Sequence, residues 1–214
     1  MTVDPSIIIS CISLLIAAVT AWLTLFRRGT LAMTQPTMLF FGPDGGKPDE
    51  PKVFLRTLLY STSQRGQLIE SMFVRLRRKE SVQVFNIWVY GERQPTLVRG
   101  SGLHVGQEGV AFNHHFALPK DGTRFEFLPG DYVVEVFAKV VNRSDSKLLW
   151  RLNLNLVDTL AAEMKKHGAG VYFDWGPDSK QYHAHIREAR DEVLSEDNAA
   201  EFIKAFKEAM ATEK

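Results

Sequence analysis

The pattern of apolar and polar positions divides this chain in two. Near the start runs one unbroken apolar stretch, and after it comes a long series of short segments in which apolar residues alternate with polar ones. Residues 6–26 carry no charge, and Ile7, Ile8, Ile12, Leu15, Val19 and Leu23 set their character. These twenty-one residues, at a rise of about 1.5 Å each, span roughly 31 Å as a helix, the thickness of a bilayer's hydrocarbon core. A helix also satisfies its own backbone, which a solitary span in lipid requires. Two other readings compete: a cleavable signal peptide and a buried core helix. The flanks oppose the first, because Asp4 precedes the stretch, no lysine or arginine does, and no small-x-small cleavage pattern stands before Arg27 and Arg28. A retained anchor over 6–26 is therefore predicted. Trp22 sits where an interfacial aromatic belongs, and the arginine pair favours the cytoplasmic side, which gives an N-out, C-in topology at a cell membrane.

Beyond the anchor, strand-length segments are predicted at 37–41, 53–61, 68–77, 82–90, 96–99, 110–118, 124–128, 132–141 and 148–156. In 132–140, positions 132, 134, 136, 138 and 140 are uniformly apolar, as expected of a strand with one buried face. In 150–156 the leucines alternate with Arg151, Asn153 and Asn155, which leaves one face wet. Such alternation belongs to antiparallel sheets; parallel sheets need buried strands with a helix between each pair. Turns are signposted by Gly42-Pro43-Asp44-Gly45-Gly46, Leu128-Pro129-Gly130-Asp131 and Gly176-Pro177-Asp178-Ser179. A short helix is predicted at 159–167, with Asp158 as its cap and Gly168 closing it. Next in the chain is a hairpin of 171–175 with 181–186. Last comes an amphipathic helix, capped by Ser195, with Ala199, Phe202, Ile203, Phe206 and Met210 as its apolar stripe.

The predicted fold is thus mainly β: an antiparallel β-sandwich with an N-terminal transmembrane helix and a C-terminal amphipathic helix. Its parts are an anchor with flanks at 1–28, the sandwich at 29–186 and a helical segment at 187–214. In strand count alone it resembles immunoglobulin-like sandwiches. The Cys–Trp–Cys pattern of that family is missing, since Cys11 is the sole cysteine and lies in the anchor. One cysteine also rules out a disulfide or zinc-thiolate framework within the chain. With 26 basic and 25 acidic residues the net charge is +1, which supplies no field for nucleic acid.

No P-loop, dinucleotide glycine fingerprint, Gly-x-Ser-x-Gly elbow or His-Glu-x-x-His is present, and the sequence calls for no cofactor. The best remaining constellation is His183 and His185, two apart on one strand and therefore on one face, with Asp174 on the polar side of the preceding strand. Two histidines and a carboxylate can ligate a metal; the plainer view is a solvated strand face. His114 and His115 are adjacent and must point to opposite faces. Arg75, Arg77, Arg78 and Lys79 gather at a chain reversal, where the alternatives are a solvated hairpin tip and a contact with anionic headgroups. Trp88, Tyr90, Phe125 and Phe127 read as sheet packing. Asn142-Arg143-Ser144 matches a glycosylation sequon, which a cytosolic domain would never use. The expectation from all this is a non-enzymatic interaction or assembly module. It meets the lipid bilayer through 6–26 and a protein partner through its sheet edges or last helix, a second copy of the chain being one such partner. A metal-dependent enzyme or metal sensor and a lipid or apolar-ligand binder are the rivals.

Overall fold

The computed structural model describes residues 4–26, 29–44, 47–92, 97–100, 102–167 and 169–187. The expected C-terminal helix and the Arg27-Arg28 pair lie outside the described residues. Helix α1 (Pro5–Ala21) begins at Asp4, whose carboxylate accepts a hydrogen bond from the Ser6 N–H at 3.0 Å, with proline at the first helical position. It runs on into a π-helical turn, Trp22–Phe26. Residues 5–24 form one helical stretch long and apolar enough to cross a membrane. No residue of α1 is buried, so this is not a core helix of the domain.

The remaining strands are β1 (Leu31–Met33), β2 (Met38–Asp44), β3 (Lys47–Ser61), β4 (Gln67–Arg78), β5 (Ser81–Phe85), β6 (Ile87–Gly91), β7 (Val98–Arg99), β8 (Leu103–Val105), β9 (Val110–Ala117), β10 (Gly130–Val140), β11 (Ser146–Leu156), β12 (Gly170–Gly176) and β13 (Gln181–Arg187), with helix α2 (Asp158–His167) between β11 and β12. All pairings are antiparallel. The first sheet has the order β13-β12-β2-β3-β9-β6-β7, with β1 added end to end with β2 on the same flank of β3; the second has the order β11-β10-β4-β5, with β8 added to the start of β4. Inward residues of both sheets join one apolar cluster. Leu39, Val53 and Leu55 come from the first sheet and Val74, Leu76, Val134 and Val136 from the second, and the Phe41 ring lies 5.6 Å from that of Tyr132. The apolar face expected for 132–140 is buried at every position.

Several sequence expectations are corrected. The single strand expected at 82–90 is two, β5 in the second sheet and β6 in the first, because the chain crosses between sheets at Asn86. Residues 124–128 form no strand; Phe127 still enters the core by stacking at 5.0 Å on Phe41, since a ring needs no backbone partner to be buried. Of the turn expected at 42–46, residues 42–44 continue β2, paired with β3 up to Asp44 opposite Lys47, and Gly45 and Gly46 lie outside the described residues. Asp158 is the first residue of α2 and not its cap. The short strands β1 and β8 have too few residues to show a period, and the sequence pattern does not reveal them.

Strand direction fixes which loops share an end of the domain. Gly29 lies beside the β3–β4 connection, with its carbonyl accepting from Gln67 Nε2 at 3.1 Å. The β10–β11 turn is at this same end, because Val140 pairs with Ile69 and Val141 N–H donates to Leu68 O at 2.9 Å. The β4–β5 tip and α2 lie at the opposite end, twelve residues of β4 being roughly 36 Å of extended chain away.

Candidate functional site

The sequence-predicted histidine face forms as a hairpin face. Asp174 pairs directly with His183 and Tyr172 with His185, so both imidazoles and the carboxylate stand on one exposed side. His185 Nδ1 lies 3.5 Å from an Asp174 oxygen, and its ring stacks on Tyr172 at 5.7 Å. His183 turns instead to the Ser179 hydroxyl, 3.0 Å from Nε2, in the turn that links the two strands. Among the described residues no three His, Cys, Asp or Glu side chains converge as a metal ion requires. On the other side of the hairpin, Tyr182 donates to the Pro36 carbonyl at 2.7 Å, and burial raises its pKa to about 12. His114 and His115 point to opposite faces. His114 is buried and accepts from Trp88 Nε1 at 3.1 Å, whereas His115 packs on Phe54 on the outer side.

Two of the three arginines of β4 stand away from the hairpin tip. Arg75 and Arg77 project from the outer face of the second sheet, where they meet Glu135 of β10 together with Arg151 of β11. Register makes the cluster, since Glu135 pairs with Arg75 on one side and with Arg151 on the other. Arg77 Nε donates at 3.2 Å, and Arg151 donates through Nε at 3.0 Å and through Nη2. Burial opposes the Glu135 charge, but the Arg151 hydrogen bond and the charges of Arg77, Arg151 and Arg75 outweigh it, leaving the pKa below the usual carboxylate range. Three guanidinium groups on one carboxylate leave a surplus of positive charge. Arg75 also lies 4.7 Å over the Phe137 ring, which stacks on Phe73 at 4.9 Å. Only Arg78 and Lys79 remain at the reversal, with Arg78 donating to Pro129 O and Lys79 at φ 51° in the turn. The sequence signal for this cluster was a lone glutamate inside a valine-rich strand, which the period alone assigned to a wet face.

Beside this cluster lies the free flank of β11, the edge of the second sheet among the described residues. Inward-facing Val134 and Val136 are buried, but their cross-strand neighbours Leu152 and Trp150 are only half-buried, so the core opens along this edge. A groove of about 400 Å³ runs along it between the two sheets, reached by Leu152, Asn153, Phe173, Trp175, Tyr182 and Ala184. At the Gly29 end the opening is bridged by Lys147, which faces inward and donates from Nζ to Leu31 O at 2.7 Å. An inward lysine is a common guard on a sheet edge, and here it protects only one end of the strand. Toward α2, Leu154 and Leu156 are again buried.

Comparison with known protein families finds no family that matches the chain, and comparison with curated proteins finds no match either.

Proposed function

We propose that this chain is a single-pass, membrane-anchored interaction and assembly module without catalytic activity, in which the two sheets form a β-sandwich that binds an extended segment of a partner protein along β11. The anchor places the domain at the cytoplasmic face, and location and contact are the function. The observation that carries this reading is the β11 edge: an eleven-residue strand with an unpaired flank among the described residues and inward apolar side chains left half-buried. Strand addition supplies main-chain hydrogen bonds, while pockets for alternate side chains supply specificity. A segment lying here would set apolar side chains into the groove beside Leu152, Phe173 and Trp175. Its outward side chains would stand next to Arg151, where the surplus charge around Glu135 favours an acidic residue.

The test is a photo-crosslinking amino acid at Asn153 in the full chain, expressed in cells of the source organism, with a second label at Tyr60 on the first sheet as control. One protein should crosslink from Asn153 and not from Tyr60, and Leu152→Lys should abolish it. Crosslinks that are equal from both positions, or none from Asn153, would remove the proposal.

A further inference from the structure

At the end where the chain enters the domain, a second and larger groove of about 810 Å³ lies between the β3–β4 connection and the β10–β11 turn. Its lining includes Arg65, Arg143, His104 and Gln67, with Leu68 and Val140 as apolar floor, and among the described residues contains no carboxylate. Asp145 belongs to the same turn but not to the lining. We infer that this groove holds the phosphate-bearing headgroup of an anionic lipid from the leaflet at which α1 ends. The inference rests on the anchored reading above.

Three observations support it. First, chain length fixes the position. From Phe26 to Gly29 are three peptide steps, about 11 Å at full extension, so the Gly29 end of the domain must stay near the membrane surface. Gly29 is bonded to Gln67 of the groove, and Thr30 N–H donates to Thr62 Oγ1 at 2.8 Å, so the same connection that tethers the domain forms one wall. Second, the donor set fits. The Arg143 guanidinium fork matches phosphate oxygens, Arg65 stands in the same lining, and an imidazole and an amide add further polar contacts. Third, the shape fits a headgroup better than a small ion. The volume falls in the range of organic-ligand sites, and Leu68 is 44% exposed, an apolar surface suited to glycerol and the first acyl carbons. The wall is also built closely. Gly66 has φ +69°, and a Cβ there would meet His104 Nε2 at 2.5 Å, so only glycine lets the loop pack against that ring. The β4–β5 tip, which the sequence offered for headgroup contact, lies at the far end of the domain, the length of β4 away from Gly29.

The experiment uses the full chain in nanodiscs of zwitterionic lipid alone or with added phosphatidylglycerol, and measures amide exchange of residues 62–68 and 140–146 by mass spectrometry. Exchange in both segments should slow several-fold only in the anionic discs, with the β4–β5 turn unchanged. The double variant Arg65→Gln/Arg143→Gln, with an unaltered circular dichroism spectrum, should lose the effect. Equal protection in both lipids, or protection that survives the double variant, overturns the inference. If inorganic phosphate added to zwitterionic discs reproduces the protection, the groove takes a free anion and the lipid assignment fails. Failure of the chain to co-migrate with either disc overturns the anchored reading itself, a result distinct from insertion without protection.

Discussion

Lowering the pH from 7.5 to 5 destabilises this domain through two adjacent histidines, of which His114 lies in the core. The ring is 0% exposed, and its Nδ1 accepts from Trp88 Nε1 at 3.1 Å, so the proton of the neutral ring sits on Nε2. That Nε2 has no hydrogen-bond partner among the described residues. Adding a second proton would place charge in the core and break the Trp88 bond. Burial, with a smaller contribution from the neighbouring His115, accordingly lowers the His114 pKa from 6.5 to about 3. Since the folded pKa is depressed, the unfolded chain binds more protons between these two values. Stability is intact above about pH 6.5 and falls as the pH descends toward 3. At pH 5 the linkage amounts to about 2 kcal/mol from this one residue. Ordinary carboxylates remain largely ionised there, so Glu135 contributes little to the change. His115, lowered to about 4 by burial first and then by the Lys52 charge, acts in the same direction, and at pH 5 its share is comparable, reduced by its partial exposure. The assay is urea unfolding of the full chain in detergent micelles at both pH values, read from the β signal in circular dichroism. His114→Gln keeps an acceptor for Trp88 but cannot titrate. It should start less stable than the parent and lose about 2 kcal/mol less on acidification. Equal losses in parent and variant would refute the argument.

Three further outcomes are expected. Glu135→Gln leaves three arginines facing one another around a neutral amide and should cost about 1–3 kcal/mol, the arginines' solvent exposure holding the figure below that of an enclosed pair; an unchanged urea midpoint would show the cluster to be unimportant. The Glu135 pKa is lowered, so its contribution is present above the usual carboxylate range and fades as the pH falls through it, and the variant should lack that dependence. Deleting residues 1–26 should move the protein from a carbonate-resistant membrane pellet to the supernatant, and a deletion variant that stays in the pellet would deny the anchor. Zinc titrated into the purified chain should bind without stoichiometry; one zinc per chain, lost in His185→Ala, would establish the His183, His185 and Asp174 metal face instead.

Much of the strand content was legible because the period of two is a local property. Residues 132–140 announce their buried face by composition alone, and the hairpin around Gly176-Pro177-Asp178-Ser179 is announced by turn chemistry. The same local logic failed where pairing partners decide. Glu135 occupies a nominally wet position, but cross-strand register brings it between Arg75 and Arg151 and leaves it 1% exposed. Two bulges shift the facing of whole strand segments. In β4, Glu70 is the extra residue between pairs 69–140 and 71–139; in β11, Leu149 is extra between pairs 148–137 and 150–136. Ile69 is therefore buried together with Met72 and not with Ser71, a change of parity invisible to a period count.

By itself, then, the sequence determined the apolar N-terminal helix and the antiparallel, mainly β character of the domain behind it, because hydrocarbon thickness and strand pleat act on consecutive residues. The tertiary structure alone decided which strand is left as an edge among the described residues, that the chain changes sheets at Asn86, and that Arg65 and Arg143 share a groove beside Gly29. Those outcomes depend on pairing between residues far apart in the chain, for which adjacent positions carry no periodic signal.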